Sequence, residues 1–135
     1  MLRIAILLFP LLLPFLNACT GDNPDAGKMG VDFQWQQKDQ GSTDNPEIRL
    51  TSVPPGTTQF FVKLVDLDLP GFDHGGGFAA NDGSGVIARG AARGNYNGPD
   101  PPWPKLGHTY EITVKAYDAQ KNLLGIGKKA LAFPF

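Results

Sequence analysis

Seven side chains of this 135-residue chain have the chemistry to hold a charged ligand or to move a proton: Asp66, Asp68, Asp73, His74, Tyr96, His108 and Tyr110. A neutral imidazole carries one N–H, and protonation adds a second donor and a positive charge. His74 and His108 together can therefore offer two donors to an anion. Acidic neighbours favour the protonated form, so anion binding is expected to strengthen as pH falls through the histidine range while the aspartates stay ionised. Asp66 and Asp68, at spacing two, project to one side of a strand that continues past them; alternatively Asp66 opens an Asx turn before Pro70-Gly71. Asp73-His74 runs into Gly75-Gly76-Gly77. Those glycines read either as a bare flexible loop or as a loop whose backbone N–H groups complete an anion nest. Prolines at 99, 101, 102 and 104 stiffen the following loop, which helps a pocket stay preformed.

Two other chemistries compete for the same residues. The aspartates and histidines include hard and borderline metal ligands, but a calcium loop starting at Asp66 fails because Pro70 and Gly77 fall on ligand positions. His74-Gly75-Gly76-Gly77 matches an esterase oxyanion segment, yet that motif needs a Gly-x-Ser-x-Gly elbow on an α/β scaffold. Ser84, in Asp82-Gly83-Ser84-Gly85, lacks the spacing. No catalytic residue, metal or cofactor is expected, and the chain is read as a non-enzyme.

The elements that must position these groups are strands. Val31, Phe33 and Trp35 alternate with polar residues, as do Ile48 and Leu50, and Tyr110, Ile112, Val114 and Ala116 alternate most strictly, each the mark of a half-buried strand. Thr58 to Asp66 is apolar on both sides and suits a central strand covered on each face, with Lys63 near an edge or loop. Pro54-Pro55-Gly56 and Asp118 to Asn122 are turns. Residues 69–106 show little periodicity beyond a short strand at Val86 to Arg89, and a long irregular stretch inside a domain is usually functional. Leu123 to Phe133 reads as one or two closing strands. The 17 Gly and 12 Pro argue against a helical bundle, and no helix of useful length is expected. The fold class is all-β, an antiparallel β-sandwich with long Gly/Pro-rich loops.

Twelve Lys and Arg against 13 Asp and Glu leave a net charge of −1, too little field for dedicated nucleic-acid binding. The single cysteine excludes an internal disulfide. It follows Met1-Leu2-Arg3, thirteen residues from Ile4 to Leu16 that are all apolar or Pro, and Asn17-Ala18. That pattern is a secretory signal, too short and proline-interrupted for a membrane span. Its Leu-x-Ala-Cys ending resembles the lipobox of bacterial lipoproteins, which implies a lipid on Cys19. Thr20 after the cysteine resembles the pattern sent to the outer membrane, so a lipid-anchored envelope protein facing the periplasm is expected, with secretion as the alternative. The expected organisation is a signal peptide at 1–18, a tether at 19–29 and one domain at 30–135.

A series of ordered markers resembles the phosphatidylethanolamine-binding protein (PEBP) family. Asn45-Pro46-Glu47-Ile48 and Val53-Pro54-Pro55-Gly56-Thr57 look like its early strand and turn. Asp66-Leu67-Asp68-Leu69-Pro70 is similar to its Asp-Pro-Asp-x-Pro, and His74 stands where its next histidine falls. Tyr96 to Pro102 and Gly107-His108-Thr109-Tyr110 are similar to its Gly-Pro loop and Gly-His-Arg-Tyr. The resemblance implies a β-sandwich with a small anion pocket formed by Asp66, Asp68, His74, Gly98, Pro101, His108 and Tyr110, taking a phosphate-like anion or a phospholipid headgroup. Leu67, Gly75 and Thr109 replace the family's Pro, Trp and Arg, which removes an aromatic wall and a fixed charge. The competing expectation is a structural or protein-interaction lipoprotein that keeps the sandwich without a ligand.

Overall fold

The computed structural model describes residues 25–103 and 107–135. The expected signal peptide, Cys19, most of the tether and Pro104 lie outside the described residues. The strands are β1 (Gly27–Lys28), β2 (Gly30–Phe33), β3 (Ile48–Thr51), β4 (Gln59–Asp66), β5 (Asp73–Ala80), β6 (Val86–Ile87), β7 (Arg93–Gly94), β8 (Thr109–Tyr117) and β9 (Leu123–Ala132), with a single 3-10 turn at Gln37–Asp39. They form a six-stranded sheet, β1-β9-β8-β4-β5-β7, and a three-stranded sheet, β2-β3-β6. Among the described residues no helix is long and apolar enough to cross a membrane.

Alternation builds the space between the sheets. Phe60, Val62 and Leu64 of β4 and Tyr110, Ile112, Val114 and Ala116 of β8 are buried, and Ile48, Leu50 and Phe33 come up from the smaller sheet. Trp35 closes one end of this core edge-on against both Tyr110 and Phe133, and its indole N–H donates to the Leu131 carbonyl at 3.3 Å. Buried Asn45 fastens the loop that carries β6 and its sequel: its amide donates to the carbonyls of Pro46 and Ala88 and accepts from the Ala92 N–H. Three backbone groups that would otherwise be orphaned inside the protein are satisfied by one side chain.

Four expectations need correction. The chain joins the fold at Gly27, where β1 pairs with β9, and Met29 is in the core, so the tether ends before residue 29. That β1–β9 pairing is parallel, in an otherwise antiparallel molecule. Lys63 is not at an edge; it lies mid-strand on the face of β4 turned away from the small sheet, which no described element covers, and is exposed. The largest correction is β5. Eight residues read as irregular form a strand paired with β4 from Gln59↔Ala80 to Val65↔Asp73. Gly75-Gly76-Gly77 is therefore neither a flexible loop nor an anion nest. The N–H groups of Gly75 and Gly76 donate to Asp73 and Asn95 side chains. The glycines are there for clearance: a Cβ on Gly76 would lie 2.5 Å from the Val62 carbonyl oxygen.

Candidate functional site

The site forms where β4 ends and β8 begins. Asp66 is the last residue of β4, 1% exposed. Its Oδ1 accepts the backbone N–H groups of Asp68 (2.9 Å) and Leu69 (3.0 Å), an Asx turn that stops the strand. Its Oδ2 accepts the Nδ1–H of buried His108 at 2.7 Å. Burial works against the charge on Asp66, yet the bond from His108 and the two backbone donors outweigh it and hold the carboxyl below its ordinary range. Because the strand ends here, Asp68 does not share a face with Asp66. It is exposed, and its Oδ2 accepts the Thr109 N–H at 2.7 Å, stitching the turn to the start of β8.

His74, 2% exposed, comes from β5. Its Nδ1 lies 2.9 Å from the Asn97 carbonyl oxygen and 3.1 Å from that of Gly98. Carbonyls only accept, so Nδ1 carries the hydrogen and Nε2 is the free nitrogen. The same holds for His108, whose Nδ1 faces a carboxylate. This corrects the expectation that each neutral imidazole offers an N–H to an anion: both N–H groups are already spent, and only a second proton, on Nε2, makes either ring a donor. Gly98 reaches its position because it has no side chain; a Cβ would lie 2.2 Å from the Asp39 carbonyl oxygen.

The two rings flank Tyr110, with centroids 5.3 Å (His74) and 6.3 Å (His108) from the phenol ring. The Tyr110 hydroxyl is buried, with the Asp66 carboxylate and the Asp100 backbone as its polar neighbours. Burial, then the Asp66 charge, push its acidity well above the ordinary tyrosine range, so it stays a neutral donor. Above these groups is a cavity of about 220 Å³ lined by Asp66, Leu69, Phe72, His74, Asp100 and Pro102.

Of the expected site residues, Asp66 and His74 line this cavity, while His108, Tyr110 and Gly98 stand behind it as supports. Asp68 faces solvent and Pro101 is buried beside the lining instead of in it. Asp100 and Phe72 were not expected. Phe72 packs edge-on over the His74 ring at 4.7 Å and supplies the aromatic wall that Gly75 cannot. Gly75 has φ +64 and no room for a Cβ, which would meet the Asn95 carbonyl oxygen at 2.0 Å. Its place in the chain therefore admits no Trp. Asp66, Asp68 and His108 bring ligand atoms within 4.8 Å of one another, but a cation there would have to break the Asp66–His108 bond. Asp73 stays apart: its carboxylate is held by the Gly75 N–H. A larger concavity, about 470 Å³, opens beside the small sheet. Its carboxylates Asp32, Asp39 and Glu47 are each taken by a cation, Lys129, Arg89 and Arg49 respectively, which leaves them little to offer a ligand.

Protein-family models and curated proteins give no match to the chain. Solved structures do. YbcL of Escherichia coli, described as a new member of the mammalian PEBP family, is 15% identical over 79% of this chain and 98% of its own, with a TM-score of 0.56. The PEBP homologue CT736 of Chlamydia trachomatis is 13% identical over 82% of this chain and 99% of its own, with a TM-score of 0.54. The fold is that of the phosphatidylethanolamine-binding proteins. Within this PEBP fold, the ordered markers from Asp66 to Tyr110 fall on the pieces that build the cavity or support it: the Asp66 turn, the β5 histidine, the Gly98 loop and the β8 start.

A depressed carboxyl means that the unfolded chain binds more protons than the folded one near pH 4, so Asp66 contributes stability above its unfolded pKa and loses it as pH falls through its folded value. Asp66→Asn is expected to cost about 2 kcal/mol at neutral pH. In urea titrations the gap between variant and wild type should shrink as pH falls below the ordinary carboxylate range; a gap independent of pH would show that the charge contributes nothing.

Proposed function

We propose that the chain is a non-catalytic binding module of the bacterial envelope, held to a membrane by a lipid on Cys19, whose cavity takes a phosphate-like group or phospholipid headgroup. The observation that carries this reading is His74, a buried imidazole whose Nδ1–H is committed to loop carbonyls, lining a small cavity beside the Asp66 carboxylate. The cavity is smaller than the ~300 Å³ at which drug-sized pockets begin, a size suited to a headgroup and not to a whole lipid.

Charge sets the conditions for binding. Asp66 and Asp100 border the cavity, so with both histidines neutral a bare anion meets carboxylates and lone pairs. Protonating His74 on Nε2 adds one donor and one positive charge together. A zwitterion such as phosphoethanolamine suits the lining better than inorganic phosphate, because its ammonium group can answer Asp100 while its phosphate meets the imidazole. With two carboxylates and an imidazole as its ionisable lining, the cavity is read as holding a ligand without turning it over.

Calorimetry on the full chain with phosphate and with phosphoethanolamine, at about pH 5.5 and 7.5, checks this. Affinity should rise at least about fivefold at the lower pH, and His74→Ala should abolish the gain. Equal affinity for wild type and variant at both pH values would reject the site. For the anchor, labelled palmitate should enter the protein and disappear with Cys19→Ser; cleavage elsewhere without lipid would reject it.

A further inference from the structure

Six large apolar side chains are exposed among the described residues: Leu67, Leu69, Phe72, Phe78, Trp103 and Phe135. Phe78 alone belongs elsewhere, on the outer face of the large sheet beside Phe61. The other five belong to the segments that build or adjoin the cavity. Leu69 and Phe72 line it, and Trp103 follows its lining residue Pro102. Leu67 donates its N–H to Thr109, next to His108. Phe135 stacks at 5.5 Å on Phe133, whose N–H is bound by the His108 carbonyl. Trp103 is 87% exposed, an unusual setting for the largest apolar side chain in a protein. Exposed apolar groups scattered singly need no explanation, but a set gathered round one opening marks a contact surface.

We propose that this collar is a membrane-docking surface, which seats the cavity against the headgroup layer of a bilayer of low net charge. The proposal rests on the headgroup reading of the cavity and extends it: the ligand is taken where it stands in the membrane, not as a free phosphate. Two further observations select a bilayer as the occupant. Trp and Phe with aliphatic neighbours are the side chains that settle at the boundary between headgroups and acyl chains. Among the described residues, the exposed charges closest in sequence to Leu67, Leu69, Phe72 and Trp103 are the carboxylates Asp68, Asp73 and Asp100, which repel an anionic surface and tolerate a zwitterionic one.

The tether allows the same membrane to serve as anchor and target. The chain enters the fold where Gly27 pairs with Gly125, while the cavity end of the same strand is Ala132, paired with Thr109. Those two points are about 24 Å apart along β9. The chain from Cys19 to Gly27 can extend to at most about 29 Å, enough for a molecule held at Cys19 to turn its collar back to the bilayer.

Trp103 reports on this directly, because the other tryptophan, Trp35, is buried. With the full chain on vesicles of phosphatidylethanolamine and phosphatidylcholine, lipids brominated near the top of the acyl chain should quench the emission by a third or more, about the share of the exposed indole. Trp103→Phe should remove the quenched component. Leu67→Asp, which lies outside the cavity lining, should cut the quenching at least about twofold and leave the affinity for free phosphoethanolamine unchanged. Unquenched Trp103 emission in vesicle-bound protein would overturn the proposal, as would quenching that needs an anionic lipid. Quenching without any phosphoethanolamine binding would uphold the collar and reject the cavity; binding without quenching would do the reverse.

Discussion

A carboxylate taken out of water must be met by hydrogen bonds or lose its charge, and at the end of β4 this requirement organises the site. Asp66 is almost fully buried, and three donors converge on it: two backbone N–H groups of its own turn and the imidazole of His108. The first two stop the strand. The third links it to the start of β8, and the Thr109 N–H bound by Asp68 repeats the link one residue on. Remove the charge from Asp66 and the turn, the tautomer of His108 and the floor of the cavity lose their common support. One interaction thereby couples the sheet's architecture to the site's chemistry.

The same logic runs through the second histidine. His74 lies on β5 because that strand can approach its neighbours closely, and its three glycines permit the approach. Its ring is held from the other side by carbonyls of the loop at Asn97 and Gly98. That loop is fixed in turn by Gly98 N–H donating to Ser42 and by Gly41 N–H donating to Pro99. The cavity is thus assembled from four separate pieces of chain, and each piece is restrained by backbone hydrogen bonds before any ligand arrives. Preorganisation of this kind lowers the entropy that binding must overcome.

What could be read from the sequence, and what could not, follows from where side-chain alternation carries information. β3 and β8 announce themselves because large apolar residues fall on every second position, and β4 because it is a nearly continuous apolar run. β5 is hidden for the opposite reason: its inner positions are glycines, so the strand has the register of a sheet but no pattern of side chains to reveal it. The histidines and Asp66 were legible as chemistry, and the ordered markers placed them together. Phe72 and Asp100 were not, because an exposed aromatic and an exposed aspartate in loops carry no periodic signal. Nor could spacing foresee that both imidazoles would spend their N–H on fixed acceptors, a fact that reverses what they offer a ligand in the neutral state. For Asp68 the spacing left open a shared face with Asp66 or an Asx turn, and the turn forms and ends the strand.

The account stands on the proton positions of His74 and His108, and these can be read without any ligand. Nitrogen-15 NMR of the two rings at about pH 8, above the ordinary range of imidazole protonation, should show each with its hydrogen on Nδ1 and a bare Nε2. A hydrogen on Nε2 of either ring, or the averaged pattern of an imidazole free in water, would contradict the geometry from which the site has been built.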